Sequence, residues 1–368
     1  METDLNKVLF QALKDEDKRA IMEALQKGAD INAKDNDNDG MTALMYASED
    51  GNLGIVDLLI ANGADVNAKD NNGWTALMFA SFDDNLEVAT LLIKEGADVN
   101  AKDTFTYGMT SLMYAAESGE KEIANLLIEK GANIHAKDKD GKTSLMYASE
   151  KGNLDIADLL IAQGANIHAK DRDGKTALIY AAESGEKEVA NLLIKEGAYV
   201  NAKDKDGKTS LMYASEKGNL DIADLLIAQG ANIHAKDRDG KTALIYAAES
   251  GEKEVANLLI SKGADVNAKD NDGRTALMYA SESGKLEVAN LLISKGANVH
   301  AKDKNGETAL MYASKFGELD TAALLIKKGA DINAKDNLGF TAIKFALLFG
   351  KQDMVKLIIE KGKLYLLQ

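Results

Sequence analysis

Apolar and polar positions along this chain form a pattern that returns every 33 residues. Within residues 275–307, the runs 276–282 and 286–295 have the apolar spacing of amphipathic helices, and a glycine closely follows each run. A short extended stretch comes next, and then Asp303-Lys-Asn-Gly306 has the residue types of a tight turn. Each repeat is therefore predicted to form two antiparallel helices followed by a β-hairpin-like finger.

This repeat covers almost the whole chain. Residues 136–194 are identical to residues 202–260, which indicates a tandem duplication. Neither helix of a repeat is long enough to be stable alone in water, so the apolar faces must become buried when repeats stack. The sequence therefore predicts an all-α solenoid. The leading threonine recurs with a spacing of 33 residues, apart from one spacing of 35, at Thr42, Thr75, Thr110, Thr143, Thr176, Thr209, Thr242, Thr275, Thr308 and Thr341.

The residues of a single repeat resemble a known family. Asp270-Asn-Asp-Gly-Arg-Thr-Ala-Leu-Met-Tyr-Ala is similar to the Asp-x-x-Gly-x-Thr-Pro-Leu-His-x-Ala pattern of ankyrin repeats. Ala or Ser replaces the proline of the family, and Met, Ile or Lys replaces its histidine. The resemblance implies an ankyrin-repeat solenoid of about eleven units, caps included. It also implies that another residue must make the polar link between helix and finger that the histidine would make.

The repeats predict one elongated domain over residues 1–368, although this length would ordinarily suggest two or three domains. In the first unit, polar residues such as Lys18 and Glu23 occupy positions that are apolar in the next repeat, as is expected of a cap. We divide the domain into an N-terminal capping unit at 1–33, nine threonine-led repeats with fingers at 42–340 and a C-terminal capping unit at 341–368.

Composition narrows the class of partner. The net charge is −15, which argues against binding to nucleic acid or to an anionic membrane surface. The chain has no cysteine, its start does not resemble a signal peptide, and no stretch has the roughly 20 apolar residues of a membrane span. We therefore expect a cytoplasmic monomer that binds another protein and is not inserted into a membrane.

The sequence contains no pattern that predicts catalysis. No nucleophile stands near a base and no phosphate-binding loop is visible, so we expect a non-enzymatic protein without a cofactor. Four histidines share one position of the repeat, where the other finger-bearing units have Asn, so we expect a side chain that bonds to the main chain of the finger. Repeats about 8–10 Å apart cannot bring these histidines together as the ligands of one zinc ion. They are His135, His168, His234 and His300.

One finger has the beginning of a calcium-binding loop. Asp35, Asp37 and Asp39 alternate before Gly40, as the first ligands of such a loop do, but the twelfth position is Tyr46 instead of a glutamate. An Asp- and Asn-rich turn accounts for the same residues. A calcium-regulated adaptor therefore stays open as an alternative.

An aromatic residue recurs in the first helix of the repeats. On a helical wheel with Leu277 at 0°, Tyr279 falls at about 200°, away from the buried face. This position predicts a row of rings on the inner surface of the array, which would suit a binding groove. The alternative is that each ring packs against the neighbouring repeat. The equivalent residues are Tyr46, Phe79, Tyr114, Tyr147, Tyr180, Tyr213, Tyr246, Tyr312 and Phe345.

Aromatic residues that the repeat does not require are concentrated between Trp74 and Tyr107. Trp74 and Phe82 stand where most repeats have charged residues, and Phe105 and Tyr107 lie in a finger that is longer by two residues. Such residues are enriched in protein interfaces, although the longer finger could instead bury its own rings. The predicted partner-binding residues are Trp74, Phe79, Phe82, Phe105, Tyr107, Tyr114, Tyr147 and Tyr180.

These observations together favour a scaffold for protein–protein interaction that binds a protein partner through its concave groove and fingers. One alternative is a rigid spacer without a specific binding site, which the near-identity of the middle repeats favours. Another alternative is an inhibitor or immunity-type protein that blocks a partner enzyme.

Overall fold

The structure is a computed structural model that describes residues 4–104 and 107–365, with side chains up to residue 361. This part of the chain forms twenty-two helices, which follow one another as eleven pairs, and contains no extended sheet. The prediction of an all-α fold with about eleven helix-turn-helix units is therefore confirmed. The helices are α1 Leu5–Lys14, α2 Lys18–Gln26, α3 Ala43–Glu49, α4 Leu53–Ala61, α5 Ala76–Phe82, α6 Leu86–Lys94, α7 Ser111–Ser118, α8 Lys121–Glu129, α9 Ser144–Lys151, α10 Leu154–Ala162, α11 Ala177–Ser184, α12 Lys187–Lys195, α13 Ser210–Lys217, α14 Leu220–Ala228, α15 Ala243–Ser250, α16 Lys253–Ser261, α17 Ala276–Glu282, α18 Leu286–Ser294, α19 Ala309–Phe316, α20 Leu319–Lys327, α21 Ala342–Leu348 and α22 Gln352–Tyr365.

The chain divides into two compact units, Met1–Ala177 and Leu178–Gln368. The boundary falls at the start of α11. Each unit contains the same kind of repeat, so the local structure of one repeat describes both units.

A repeat begins where the sequence predicts. Thr275 is the N-cap of α17, with the extended conformation (φ −102°, ψ 165°) that a helix start requires. Its main-chain N–H donates to the sulfur of Met278 at 3.4 Å, so the methionine at the histidine position of the family accepts a bond at the helix start. Gly284 has a φ of 66°, which the turn between α17 and α18 requires and which glycine adopts without strain.

The core of each unit lies between neighbouring helix pairs. Leu277, Ala280, Val288, Ala289 and Leu292 are each at most 1% exposed, as their apolar spacing predicts. Within a unit, first helices pack against the first helices of adjoining repeats, as α15 does against α17, and second helices pack in the same way, as α16 does against α18. The fold is therefore stabilised by contacts between neighbours, as expected for a solenoid.

Fingers are hydrogen-bonded within a repeat and between repeats. In the finger at Asp270, the N–H of Asp270 donates to the carbonyl of Arg274 at 3.0 Å, and the carbonyl of Asp270 accepts from Gly273 at 3.1 Å. The N–H of Lys304 in the next finger donates to the carbonyl of Asp272 at 2.8 Å. The predicted hairpin-like finger is thus one turn that is joined to its neighbour by a main-chain bond.

A row of lysines adds a second link between fingers. The ammonium group of Lys269 donates to the carbonyl of Lys302, the equivalent lysine of the next repeat, at 2.7 Å. The same bond, of 2.5–2.7 Å, is made by Lys69, Lys102, Lys137, Lys203, Lys236 and Lys302. These bonds hold one finger at a fixed position on the next.

The two end units differ in their surfaces. In the first, Lys18 and Glu23 are exposed, as a polar outer face requires. In the last, Leu347 and Leu348 are 55% and 60% exposed, whereas Ser314, which is equivalent to Leu347, is fully buried under the next repeat. The side chains from residue 362 onward lie outside the described residues. The outer face of α21 is therefore apolar and exposed in the described part of the chain.

Candidate binding surface

The recurrent tyrosines join the first helices to the fingers. The hydroxyl of Tyr279 donates to Oδ2 of Asp270 at 2.7 Å, while Oδ1 of the same carboxylate accepts from the N–H groups of Asp272 and Arg274. Each aspartate thus links the turn of the finger to the helix that follows it. The bond is 2.6–2.9 Å long in the repeats of Tyr46, Tyr114, Tyr147, Tyr213, Tyr246, Tyr279 and Tyr312. This is the polar link that the missing histidine requires.

The prediction that these rings lie exposed on an inner surface is wrong. Tyr279 is 6% exposed, and the predicted site residues Tyr114, Tyr147 and Tyr180 are 4%, 6% and 8% exposed. The helical wheel places the ring away from the core of its own repeat, but the finger and adjoining side chains cover it. Burial and then the hydrogen bond to Asp35 raise the pKa of Tyr46 to about 12, as expected for a covered hydroxyl.

A cation lies over the rings in several repeats. The ammonium group of Lys208 is 4.1 Å from the ring centre of Tyr213 and 4.3 Å from that of Tyr246 in the next repeat. The same ammonium group is 2.6 Å from the carboxylate of Glu216 at the end of α13. Lys241 and Arg274 occupy the equivalent place in the following repeats. Cation–π contact and an ion pair therefore hold each of these side chains in one position.

This pairing was missed by sequence reasoning, although the sequence contains a signal for it. The cation precedes the leading threonine, and its acid partner stands seven residues after that threonine. In the six repeats from Thr143 to Thr308 the two positions always carry opposite charges, whereas Met41 and Met109 stand opposite Glu49 and Glu117. Among the residue pairs are Lys142 with Glu150, Lys208 with Glu216, Lys241 with Glu249 and Arg274 with Glu282, whereas Glu307 with Lys315 has the charges exchanged.

The repeat led by Thr75 replaces this ion pair with two aromatic residues. Trp74 takes the place of the cation, and its ring centre is 4.9 Å from that of Phe79 and 4.2 Å from that of Tyr114. Phe82 takes the place of the acid. Its ring centre is 6.1 Å from that of Trp74, and its ring plane makes an angle of 86° with that of Tyr114. The structure thus brings four of the predicted site residues into one cluster.

The predicted site residues differ in exposure. Phe82 is 42% exposed and Tyr107 is 58% exposed, whereas Trp74 and Phe79 are half-buried. Phe105 lies outside the described residues. The carbonyl of Tyr107 accepts from the N–H of Lys139 at 2.6 Å, so this longer finger is joined to the next one as the shorter fingers are. An aromatic surface is therefore available at Phe82 and Tyr107, while Tyr114, Tyr147 and Tyr180 support the fold.

Carboxylates stand next to Phe82 in its own repeat and at the equivalent positions of the preceding repeat. Asp83 follows Phe82 directly, and Glu49 and Asp50 are the equivalent residues of the preceding repeat. Burial and then the charge of Asp83 raise the pKa of Glu49, while burial and then the charge of Asp50 raise the pKa of Asp83. These carboxylates therefore interact unfavourably with one another.

A second acidic pair lies beside the first. Asp84 replaces the glycine that turns the chain in the other repeats, and it keeps the positive φ, at 57°. Burial and then a hydrogen bond with Asp84 raise the pKa of Glu120, in the next repeat, to about 7. Two carboxyl groups therefore meet at this junction of the first unit.

The calcium candidate has a different geometry from a metal site. Oδ2 of Asp35 accepts from the hydroxyl of Tyr46 at 2.7 Å, and Oδ1 accepts from the N–H of Asp37 at 3.1 Å. Among the residues that the structure describes, no group of three or more His, Cys, Asp or Glu side chains could hold a metal ion. The carboxylate of Asp35 thus bonds to groups of its own repeat, and Asp39 takes the positive φ of the turn, at 49°.

At the repeat position of the four histidines, asparagine side chains of other repeats make hydrogen bonds to the next repeat. Oδ1 of Asn267 accepts from the N–H of Asn298 at 2.8 Å, and its Nδ2 donates to the carbonyl of Gly296 at 3.2 Å. The predicted bond to main-chain atoms is confirmed, but its partner is the loop of the next repeat. The four histidines at this position are exposed.

Within residues 4–104 and 107–365, no helix has both the length and the apolar character needed to cross a lipid bilayer. The helix pairs, capping threonines and linked fingers define an α-helical repeat protein. The model of the family described as ankyrin repeats (three copies) matches residues 9–103, 102–171, 145–237, 211–303 and 296–366. The chain belongs to the ankyrin-repeat family, as its residue pattern predicted. A search of curated proteins found no significant match. Ankyrin repeats are generally modules for protein–protein interaction and are typically non-enzymatic.

Proposed function

We propose that this chain is a non-enzymatic binding protein whose contact surface centres on Trp74, Phe82 and Tyr107. One observation carries this proposal: half-buried Trp74 and exposed Phe82 replace an ion pair that other repeats make at the same place. An ion pair suffices for folding there, so the aromatic residues are not required by the repeat itself. Aromatic residues of this kind are the most frequent anchors of protein interfaces.

Phe105 belongs to the same finger as Tyr107, and we include it in the contact surface. Tyr114 and Phe79 pack against Trp74 and hold it in place. Tyr147 and Tyr180 are buried, and we assign them a supporting role in the fold. We expect the protein to act as a cytoplasmic monomer, without a cofactor and without contact to nucleic acid.

The test begins with affinity purification on the intact chain, followed by identification of the bound protein by mass spectrometry. Binding of that protein is then measured with Phe105→Ala combined with Tyr107→Ala, which should weaken it by at least about 2 kcal/mol. The matched control is Tyr199→Asp. Tyr199 is 68% exposed in the second unit, where most other repeats have Asp or Asn. Equal binding by the double variant with an intact fold would refute this surface.

A rigid spacer is the second candidate function, and the links between fingers favour it. The lysine bonds and the main-chain bonds recur in both units, so within a unit the fingers of neighbouring repeats are fixed on one another by several contacts. A spacer needs only this regularity and no unusual residues. The aromatic residues of the Thr75 repeat would then have no purpose, which is why we prefer the binding role. An inhibitor of a partner enzyme would be one form of that role.

A further inference from the structure

We propose that the surface formed by Glu49, Asp50, Phe82 and Asp83, which we call the acidic–aromatic surface, binds an Arg- or Lys-bearing segment of a protein partner. This inference rests on the proposed function and specifies the chemistry of the partner.

In other repeats of this chain, a cation lies against two aromatic rings and beside a carboxylate. Lys208 lies between two tyrosine rings and pairs with Glu216, and Arg274 does the same with the rings of Tyr279 and Tyr312. An aromatic ring and a carboxylate together therefore form a binding site for an ammonium or guanidinium group. In these repeats a lysine or arginine of the protein itself occupies that binding site.

The first three threonine-led repeats lack this internal cation, and in the second of them Trp74 fills its place between the rings of Phe79 and Tyr114. The residue before the leading threonine is Met41, Trp74 and Met109 in the first three threonine-led repeats, and a lysine or arginine appears there only from Lys142 to Arg274. Within residues 4–104 and 107–361, no lysine or arginine makes an ion pair with Glu49, Asp50 or Asp83. The negative charge of this surface is therefore not neutralised by the chain.

The electrostatic state of these carboxylates favours a positively charged ligand. Burial is the largest cause of the raised pKa values of Glu49 and Asp83, and repulsion from neighbouring carboxylates adds to it. A bound cation would offset that repulsion. Asp50 adds to the effect, because its own pKa is also raised, by burial and by Glu16.

The apolar part of the surface selects an organic cation. Phe82 is 42% exposed, and Trp74 fixes the orientation of its ring. An aromatic face attracts guanidinium and ammonium groups and also covers the apolar stem of Arg or Lys. A metal ion has no apolar stem for the ring to cover, and the described carboxylates do not converge as metal ligands.

The spacing of the surface indicates the form of the ligand. Glu49 and Phe82 hold equivalent positions in adjoining repeats, which lie about 10 Å apart. A peptide in the polyproline II conformation has three residues per turn and rises about 3.1 Å per residue, so side chains three residues apart lie on one face and span about 9 Å. The ligand that fits is therefore an extended segment with basic residues at every third position.

The experiment uses the full chain and a synthetic peptide with arginine at every third position and Gly, Ser or Thr between. Binding is measured by isothermal titration calorimetry. Trp74→Lys with Phe82→Glu restores the ion pair of the other repeats at constant net charge, and it should weaken binding at least 10-fold. Glu49→Gln with Asp83→Ser should also weaken binding at least 10-fold.

Net charge is controlled by a matched variant. Glu254→Gln with Asp320→Asn removes two exposed carboxylates from second helices in the second unit, and it should change the dissociation constant less than two-fold. An equal loss in this control would mean that the peptide responds only to overall charge, and this would overturn the proposal. Absence of binding to the wild-type chain would overturn it as well.

The proposed function can be tested separately. If an identified partner is lost with Phe105→Ala and Tyr107→Ala but is unaffected by Glu49→Gln with Asp83→Ser, the binding surface stands and the basic ligand is wrong. Circular dichroism establishes that each variant is folded. Should Trp74→Lys with Phe82→Glu not fold, the surface carboxylate variant decides the question alone.

Discussion

The bond between Tyr147 and Asp138 offers the most direct test of how a finger is attached to its repeat. Tyr147→Phe removes the hydroxyl that donates to Oδ2 of Asp138 at 2.7 Å and leaves the buried ring in place. Asp138 is 8% exposed, and its other oxygen keeps the N–H groups of Asp140 and Lys142. A hydrogen bond to a charged group contributes about 1.5–3 kcal/mol. We expect a loss near the lower end, about 1.5 kcal/mol, because half of the carboxylate stays bonded.

The assay is urea denaturation followed by circular dichroism, with comparison of midpoints and slopes. The chain supplies a replicate, because residues 143–175 are identical to residues 209–241. Tyr213→Phe breaks the same bond, which is 2.8 Å long in that repeat, and should give a loss of similar size. Asp138→Ala removes the bonds to the turn as well, so it should cost more than Tyr147→Phe.

The pH dependence gives a second readout of the same bond. Burial and then Asp138 raise the pKa of Tyr147 well above its usual value of about 10. The folded state therefore holds the proton more strongly than the unfolded state. This contribution to stability is fully present below the usual pKa and is lost as the pH rises above it. The stability advantage of wild type over Tyr147→Phe should accordingly shrink above about pH 10.

A loss of less than about 0.5 kcal/mol in both tyrosine variants would refute this reasoning. It would mean that the finger is held by its main-chain and lysine bonds alone. The chain already contains two units without this hydroxyl, at Phe79 and Phe345, so the fold itself should survive the change.

Three further predictions concern stability. Deletion of residues 136–201 joins equivalent positions of duplicated repeats, so the product should fold. Circular dichroism should show the same helical content per residue as wild type, and an aggregated product would contradict the repeat model. Ser144→Ala and Ser210→Ala each remove a buried hydroxyl that has no hydrogen-bond partner, and each should raise the free energy of unfolding by about 1 kcal/mol in urea titrations. Asp84→Gly should raise the melting temperature, because it restores the glycine of the other repeats and removes the carboxyl group beside Glu120. The pKa of Glu120 is raised to about 7, so protonation of Glu120 stabilises the folded state at low pH, and this stabilisation is lost as the pH rises through that value. The gain in melting temperature from Asp84→Gly should therefore be larger at alkaline than at acidic pH.

The local structure of a repeat was predictable because it depends on neighbouring residues in the chain. The predicted helix at 276–282 has the bounds of α17, and the second helix ends one residue earlier than predicted, at Ser294. A threonine cap, a glycine with positive φ and the apolar spacing each act within a few residues. The duplication then extends this information along the chain.

The position of the tyrosines was decided by tertiary structure. A helical wheel describes Tyr279 relative to its own helix, but the covering groups come from the finger and from cations before the leading threonines, such as Lys241 and Arg274. The pairing of cation and acid could have been inferred from the sequence, because the two positions carry opposite charges in six successive repeats. Whether Phe82 is exposed depends on which side chains the neighbouring repeats place over it. The period of the sequence determines which residues are equivalent, whereas the contacts across repeats determine which of them remain available to a partner.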